Sequence, residues 1–366
     1  MTAGTPAALG YRMPAEWYQH ASTWLTWPKD PVTWPDRVPQ AQQIFLAFIE
    51  ALTPHERVDL LVDDADVEAD VRERCRARGV ADAGLVCHHV RTTDSWIRDY
   101  GPNFLLDGSG ALAFNHWIFN AWGNKYETLL RDADVPRRLP TLSDVRRFDP
   151  GIVLEGGSID VDGRGTVLTT EQCLLHPNRN PSLTRDDVDQ YLREYLGVSQ
   201  VLWLGEGIEG DDTDGHVDDI TRFVASDTIV TVVEDDPADA NHAPLQDNLR
   251  RLQLARDASG DPYRIVTLPM PGYVMAEGDR LPASYANFYI ANGVVLLPVY
   301  GHANDAVAVE MLRPLFPGRR IVPIPCEPLV WGMGSIHCVT QQQPREGSHL
   351  ESAGFLDVTL MGPDVH

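Results

Sequence analysis

Residues 334–344 read GSIHCVTQQQP and place Cys338 between a glycine-rich approach and a stretch that predicts an extended strand. Glycines such as Gly334 leave room for backbone and substrate to come close to a neighbouring sulfur. A cysteine is a few per cent thiolate at neutral pH, and the thiolate is a strong nucleophile. Cys338 is therefore the candidate nucleophile, and it needs partners from elsewhere in the chain.

Three further motifs supply those partners. His216 and Asp218 lie in the segment GHVD, Glu155 lies in LEGG, and Asp99 lies in WIRDYGP. Carboxylates accept paired N–H bonds from a guanidinium group, so they are suited to hold such a cation. A thiolate can attack the central carbon of a guanidinium, and an imidazole can move protons to and from the leaving group and water. These residue types are compatible with chemistry on a guanidinium.

In their order along the chain, these motifs resemble the agmatine deiminase family and its Porphyromonas-type peptidyl-arginine deiminase relatives, within the guanidine-modifying superfamily. The resemblance covers nearly the whole chain. Its other blocks are MPAEW at 13–17, TWP at 26–28, NAWGNKY at 120–126, GTVLTTEQCLL at 165–175 and PNRNP at 177–181. It implies the pentein fold, a five-bladed α/β propeller of repeated ββαβ units around a central active-site cavity.

The resemblance also implies the roles of the site residues. Cys338 is expected to attack the guanidinium carbon and form a covalent thiouronium, while His216 protonates the departing ammonia and later activates water. Asp99 and Glu155 are expected to clamp the guanidinium. Asp218, two residues after His216, is expected to face the same side of a strand and to bind a further N–H or orient the imidazole.

Four residues are candidates for substrate binding. Trp96 is expected to stack on or cover the guanidinium, and Trp122 to line the mouth of the site, with core packing as the alternative for both. Gly334 gives access to the thiol. Asp212 lies where the agmatine enzymes carry an acidic residue, and it is expected to contact the ammonium end of agmatine.

The leading expectation is a hydrolase acting on the C–N bonds of a linear amidine, which converts agmatine to N-carbamoylputrescine and ammonia on the way to putrescine and polyamines. Two alternatives stay open. One is a deiminase or amidinotransferase acting on free, methylated or peptidyl arginine, and the other is a non-enzymatic module that binds guanidinium cations. An ammonium tail requires a carboxylate, whereas the zwitterionic end of arginine requires an arginine as well.

The composition of the chain restricts the class of binding partner and the cell compartment that we expect. The 366 residues carry a net charge of −23, which disfavours nucleic acid and anionic membranes and favours a cationic small molecule. Five scattered cysteines, without a signal pattern or a membrane-spanning stretch, favour the cytoplasm. One catalytic domain is expected over 1–366, with residues 1–10 as a flexible N-terminal tail. The sequence allows a homodimer without fixing the oligomeric state.

No metal or other cofactor is expected. Residues 205–210, GEGIEG, match a dinucleotide-binding glycine pattern and follow an apolar strand. Such a site needs a helix N-terminus to hold the pyrophosphate, whereas here Asp211, Asp212 and Asp214 follow and would repel phosphate.

Helical periodicity predicts five helices, over 40–52, 64–78, 184–196, 243–258 and 304–316. Hairpins are predicted over 103–119, 152–175, 217–234 and 284–300, with short strands at 58–62, 85–90, 201–204, 265–268 and 321–324. The order of hairpin, helix and strand recurs about five times, which is compatible with a ring of ββαβ units.

Overall fold

The computed structural model describes residues 4–347 as a mixed α/β fold. The start of this region corrects one expectation, that of a flexible tail over residues 1–10. Ala7–Leu9 form a 3-10 turn, Thr5 is buried, and the Tyr11 amide donates to the Pro6 carbonyl at 2.9 Å. Residues 4–10 are therefore folded against the protein, and residues 1–3 lie outside the described part.

The strands are short and mostly buried. They are β1 His20–Thr26, β2 Arg57–Val62, β3 Leu85–His89, β4 Asn103–Leu106, β5 Leu112–Asn115, β6 Arg146–Phe148, β7 Asp160–Val161, β8 Thr166–Thr170, β9 Gln200–Leu204, β10 Thr221–Ala225, β11 Thr228–Val233, β12 Arg264–Pro269, β13 Met275–Ala276, β14 Asp279–Arg280, β15 Tyr289–Ile290, β16 Val294–Val299, β17 Arg320–Pro325 and β18 Gln341–Pro344.

The helices range from single turns to fifteen residues. They are α1 Val38–Leu52, α2 Ala65–Ala77, α3 Ile97–Tyr100, α4 Ala121–Asn124, α5 Glu171–Leu174, α6 Arg185–Leu196, α7 His242–Leu254, α8 Asn304–Leu312 and α9 Glu327–Val330. The five predicted helices correspond to α1, α2, α6, α7 and α8. The predicted end of α8 is too late because Pro314 cannot donate the next helical hydrogen bond, and Arg313–Leu315 continue as a 3-10 turn.

Within residues 4–347, five sheets contain an antiparallel pair that is extended on one side by parallel strands, one strand in four of the sheets and two in the first. Their orders are β18-β1-β2-β3, β4-β5-β6, β7-β8-β9, β10-β11-β12 and β15-β16-β17, with β13-β14 as a separate small hairpin. A helix-containing connection leads to the parallel strand, as parallel pairing requires. In the first sheet β18 pairs with β1, which brings the segment after Cys338 beside the start of the chain.

The predicted hairpins are present, but three of them begin later than expected. The hairpins predicted from 152 and from 284 begin at Asp160 and at Tyr289. Residues 217–219 form a 3-10 turn, Val217–Asp219, and the strand begins at Thr221. The sequence analysis did not predict β1 or β6. Strands covered on both faces carry nearly continuous apolar runs, as in Val294–Val299. No helix of residues 4–347 is long and apolar enough to cross a membrane.

Candidate active site

Cys338 lies at the inner end of a cleft of about 160 Å³, on the 3-10 turn His337–Val339 that precedes β18. It is 6% exposed. Gly334 also lines this cleft, and a Cβ atom there would lie 2.5 Å from the Trp96 ring and 3.2 Å from the Cys338 Cβ. Only glycine therefore lets the chain pass between the tryptophan and the thiol, which explains the glycine-rich approach in the sequence.

The walls of the cleft are aromatic and acidic. Four aspartates line it, and no Lys, Arg or His is found among the described residues that do so. These aspartates are Asp30, Asp94, Asp99 and Asp212. Because uncompensated carboxylates attract cations and repel anions, the cleft is suited to a ligand that is positively charged along its length.

Asp99 is held in place by two N–H donors. The main-chain amide of Gly157 donates to Oδ1 at 2.9 Å, and Trp122 Nε1 donates to Oδ2 at 3.0 Å. Burial raises the pKa of Asp99 to about 6, with Asp218 and Glu155 contributing and His216 opposing. The carboxylate is therefore mostly ionised at neutral pH and becomes neutral in mild acid.

Glu155 is fully buried and is paired on one side only. Its Oε1 accepts a hydrogen bond from Arg179 Nε at 2.7 Å, whereas Oε2 has no hydrogen-bond partner within residues 4–347. Burial acts to raise the pKa of Glu155, but Arg179 and His216 outweigh it, so the pKa lies below its usual value. Glu155 thus presents an ionised and unoccupied oxygen to the site.

His216 lies between two of the carboxylates. Its Nδ1 is 3.8 Å from Asp99 Oδ1, and its Nε2 is 3.9 Å from Glu155 Oε2. Burial acts to lower the pKa of His216, but Asp99 and its other neighbours raise the pKa well above the usual value. The imidazole is therefore protonated in the free site, which is the state that an acid for departing ammonia needs.

Gly157 allows these groups to converge. A Cβ atom at this position would lie 2.6 Å from His216 Nδ1, 2.9 Å from Asp99 Oδ1 and 3.0 Å from Asp218 Oδ2. All three distances are far shorter than an ordinary contact, so a side chain here would displace the histidine and both carboxylates. The second glycine of the LEGG motif is therefore required by packing inside the site.

The secondary structure at Asp218 differs from the prediction. It lies on the 3-10 turn Val217–Asp219 and not on a strand, so the alternation expected for a strand does not place it beside His216. Its Oδ2 lies 2.6 Å from His337 Nδ1 and 3.9 Å from Cys338 Sγ, while Oδ1 has no hydrogen-bond partner in the described chain. Burial opposes ionisation, but His337 outweighs it and keeps the pKa of Asp218 below its usual value.

Three buried atoms in the site therefore have no hydrogen-bond partner within residues 4–347: Glu155 Oε2, Asp218 Oδ1 and His216 Nε2. Buried polar atoms are nearly always paired, so such a cluster indicates a missing ligand. The two oxygens belong to ionised carboxylates, and a planar cation with several N–H donors would satisfy both.

The Cys338 thiol is protonated in the empty site. Burial raises its pKa well above the usual value, and Asp218, Asp219 and Asp99 raise it further. A guanidinium bound among these carboxylates would neutralise their charge and lower the pKa of the thiol. Ionisation of the thiol would therefore depend on a cation bound beside it.

Trp96 and Trp122 are each 5% exposed, and both line the cleft. Each ring therefore packs in the protein interior and also presents a surface that a ligand in the cleft can contact. Their ring centroids are 6.5 Å apart with an edge-to-face arrangement. Trp122 lies on α4, where its φ of 52° and ψ of 49° are left-handed. A left-handed conformation costs a non-glycine residue about 1–2 kcal/mol. This strained turn directs the indole N–H of Trp122 to Asp99.

Asp212 lies on the wall of the same cleft. Its Oδ2 accepts a hydrogen bond from the Tyr126 hydroxyl at 2.5 Å. Burial raises the pKa of Asp212 to about 6. The neighbouring cation Lys125 donates to Asp214 Oδ1 at 2.8 Å and to the Asp212 carbonyl, so the Asp212 carboxylate is left without a charged partner in these contacts.

The structure thus brings all nine predicted site residues into one site. Six line the cleft: Asp99, Cys338, Trp96, Trp122, Asp212 and Gly334. Three lie buried beneath it: Glu155, His216 and Asp218. Comparison with known proteins identifies the family, since residues 12–344 match the family described as Porphyromonas-type peptidyl-arginine deiminase.

The chain belongs to this family.

Several members of the deiminase family resemble it over most of their length. The agmatine deiminase of Ectopseudomonas mendocina is 39% identical over 363 residues, which span 93% of this chain and 97% of that protein. The structure of agmatine deiminase from Enterococcus faecalis has a TM-score of 0.87 at 33% identity and covers 94% of this chain and 99% of that one. A putative arginine deiminase from Porphyromonas gingivalis has a TM-score of 0.82 at 39% identity and covers 92% and 98%.

The sequence analysis did not predict the residues that bind the site carboxylates on the side away from the cleft. Arg179 pairs with Glu155 and also donates to Asp214 Oδ2 at 2.7 Å. His337 lies between Asp218 and Glu16, with Nε2 2.7 Å from Glu16 Oε2. Arg179 and Glu16 lie in blocks that had marked the family resemblance, PNRNP and MPAEW, and those blocks were the available signal.

Two buried groups have donor atoms close enough together to hold a metal ion. Their atoms lie within 4.8 Å of one another, in the sets Glu155, Cys173, His216 and Asp218, Asp219, Cys338. Both sets consist largely of the residues that face the proposed guanidinium. That the reaction needs no metal stays a prediction.

Proposed function

We propose that this chain hydrolyses agmatine to N-carbamoylputrescine and ammonia through a covalent thiouronium on Cys338. The observation that carries the proposal is the charge of the cleft. Carboxylates surround the thiol at the inner end, further aspartates line the walls, and the described lining residues include no basic side chain. Agmatine is cationic at both ends and fits this distribution, and two of the similar proteins above are named agmatine deiminase.

The first chemical step joins the thiol to the guanidinium carbon. Asp99, Glu155 and Asp218 accept the N–H groups of the substrate, and the bound cation lowers the pKa of Cys338. The thiol loses its proton to the surrounding water as the cation binds, and the thiolate adds to the carbon. The C–N bond to a terminal NH₂ group then breaks as His216 protonates this group to ammonia, which leaves His216 neutral. The thiol and the guanidinium cation together give an S-alkyl thiouronium cation and one molecule of ammonia.

The second step releases the product. Water adds to the thiouronium carbon with His216 as the base, and the C–S bond breaks. The thiouronium group and one water give the neutral ureido group of the product, the free thiol and one proton, which ammonia takes up. His216 serves as acid in the first step and as base in the second.

The five sheets of like strand order support a finer proposal for the architecture. We place them as blades of a pentein propeller, with the cleft at the centre. Asp99, His216 and Cys338 lie on connections that precede strands of three different sheets, β4, β10 and β18. A ring explains how residues so far apart in sequence converge.

Free arginine, which differs from agmatine by its α-carboxylate, tests the assignment of agmatine as substrate. Its α-carboxylate would face the acidic walls of the cleft without a basic partner among the described lining residues, so binding is expected to be poor. Ammonia and ureido product should be measured with agmatine, free arginine, methylated arginine and a blocked arginine peptide. Agmatine should give the highest kcat/KM. A preference for any arginine compound would overturn agmatine as substrate, and no ammonia from any of them would overturn the deiminase.

A further inference from the structure

His337, the residue before the nucleophile, bridges two buried carboxylates. Its Nδ1 lies 2.6 Å from Asp218 Oδ2, and its Nε2 lies 2.7 Å from Glu16 Oε2. None of the three side chains is more than 5% exposed. Glu16 precedes β1, Asp218 precedes β10 and His337 precedes β18, so the bridge joins segments that meet only in the folded protein.

Glu16 is the fixed end of this bridge. Its Oε1 accepts a hydrogen bond from the main-chain N–H of Ile290 at 2.8 Å, and its Oε2 lies 2.8 Å from Arg222 Nη2. Burial acts to raise the pKa of Glu16, but Arg222, His337 and Arg98 outweigh it and hold the pKa well below its usual value. Both oxygens of an ionised Glu16 are therefore held from other sheets, and the carboxylate can anchor the imidazole ring of His337.

Asp218 is the end that faces the reaction. Its Oδ2 lies next to His337 and 3.9 Å from Cys338 Sγ, while its Oδ1 has no hydrogen-bond partner within residues 4–347. A carboxylate can rotate about its bond to Cβ, and a short contact with an anchored ring restrains this rotation. The contact with His337 therefore determines which oxygen of Asp218 is left for a ligand.

We propose that His337 is a positioning residue that fixes Asp218 so that Oδ1 meets the substrate, and that Glu16 fixes His337 in turn. This role rests on the proposed function, in which Asp218 accepts an N–H of the guanidinium. Neither His337 nor Glu16 is among the described residues that line the cleft, so both act through Asp218 and not by touching the substrate.

Two variants of His337 separate the two ends of the bridge. The amide nitrogen of His337→Asn lies close to the place of Nδ1, so it keeps a donor for Asp218 and loses the anchor at Glu16. The amide nitrogen of His337→Gln lies close to the place of Nε2, so it keeps the contact with Glu16 and loses Asp218. We expect kcat/KM for agmatine to fall by about 10–100-fold in His337→Gln and to stay within about fivefold of the wild type in His337→Asn.

A binding cycle tests whether the effect passes through Asp218. It is made in the Cys338→Ala protein, which cannot form the thiouronium, and the Kd of agmatine and of methylguanidine is measured by isothermal titration calorimetry. His337→Gln should weaken both ligands by about tenfold or more. Combined with Asp218→Asn, it should cost little beyond Asp218→Asn alone, because two residues that act as a unit are not additive.

His88→Asn is the matched control. His88 is also buried, and its Nε2 lies 2.8 Å from Oδ1 of buried Asp59, away from the cleft. This variant removes the Nε2 contact with a buried aspartate, so it should lower the melting temperature and leave both Kd values unchanged. If His337→Gln does not fold, Glu16→Gln takes its place in the cycle, since it removes the anchor of His337 and leaves Asp218 as it is.

An additive cycle, or a loss in His337→Asn as large as that in His337→Gln, would overturn the positioning role. Methylguanidine carries only the guanidinium group, so its binding does not depend on agmatine as the substrate. A non-additive cycle with methylguanidine in an enzyme that releases no ammonia from agmatine would uphold the role of His337 and overturn the proposed function alone. Failure of the Cys338→Ala protein to bind methylguanidine would overturn both.

Discussion

Asp212→Asn tests whether Asp212 binds the ammonium group of agmatine, at the end opposite the guanidinium. The carboxylate lines the cleft and its Oδ2 is held by the Tyr126 hydroxyl. An asparagine oxygen can accept the same hydrogen bond, so the variant removes a charge with little change of shape. Asp214, the neighbouring alternative, is less suited to this role because Asn178, Arg179 and Lys125 already bind its oxygens.

The expected magnitude follows from the charge of the pair. An ammonium about 4 Å from a carboxylate gains about 4 kcal/mol at an effective dielectric constant of about 20. Desolvation and the open mouth of the cleft reduce the net gain, and we expect about 1.5–2 kcal/mol, or roughly 10–30-fold. The contact is far from the reacting carbon and is made in the ground state and transition state alike. KM for agmatine should therefore rise while kcat changes little.

The assay compares agmatine with butylguanidine, which has the same chain without the ammonium group. Asp212→Asn should raise KM for agmatine by roughly 10–30-fold and leave butylguanidine nearly unaffected. Asp30→Asn is the matched control, since Asp30 is another cleft aspartate and loses the same charge. Equal losses with both substrates, or an equal effect of Asp30→Asn, would refute a specific contact between Asp212 and the ammonium.

Four further outcomes are expected. Cys338→Ala should lower kcat by more than ~10³-fold, and a haloacetamidine should label Cys338 ahead of the other cysteines by mass spectrometry; comparable turnover would end the covalent route. Glu155→Gln should cost at least ~30-fold in kcat/KM, since ~2 kcal/mol of charge-assisted binding is lost. It should also lower the melting temperature, because buried Arg179 loses an ionised partner, and unchanged kinetics would make Glu155 structural. The kcat/KM for agmatine should fall as pH drops through about 6, because Asp99 and Asp212, with pKa values of about 6, lose the charge that binds the cation; a flat profile would contradict this. Exhaustive EDTA treatment and desalting should leave full activity, and a loss restored by one divalent ion would argue against the thiol route.

Local signals predicted the regular elements of this fold. Thr184 and Asp187 have the spacing of a capping box at the start of the predicted helix 184–196, and the structure has the reciprocal capping box there, with left-handed Gly197 at the other end. The predicted hairpins 103–119 and 284–300 contain the turn residues Asp107-Gly108 and Asn292-Gly293, because turn residues follow local conformational rules. β1 was missed, and its partner β18 lies more than 300 residues away, a pairing that no local pattern shows.

The site was predictable as a set of residue types but not as a network. Motifs identified the nucleophile, the histidine and the carboxylates. The donors that support them come from distant segments, as with Asn287 at Cys338 or Arg179 at Glu155. Their roles depend on orientation in space, which spacing along the chain does not encode. The strand placement of Asp218 was wrong for a related reason, since alternation applies only once a strand has formed.

The distribution of charge around Cys338 connects fold, binding and chemistry. Hydrogen-bond partners lie behind the carboxylates, with Arg179 at Glu155 and His337 at Asp218, and these contacts occupy one oxygen of each. The opposite oxygens accept no hydrogen bond in residues 4–347, so the negative charge beside Cys338 is balanced in part by His216, whose Nε2 lies 3.9 Å from Glu155 Oε2. This charge keeps the thiol protonated in the empty site and makes a bound guanidinium the group that ionises it. A neutral ligand would fill the space without activating the sulfur, so selection for a cation acts on the chemical step as well as on binding.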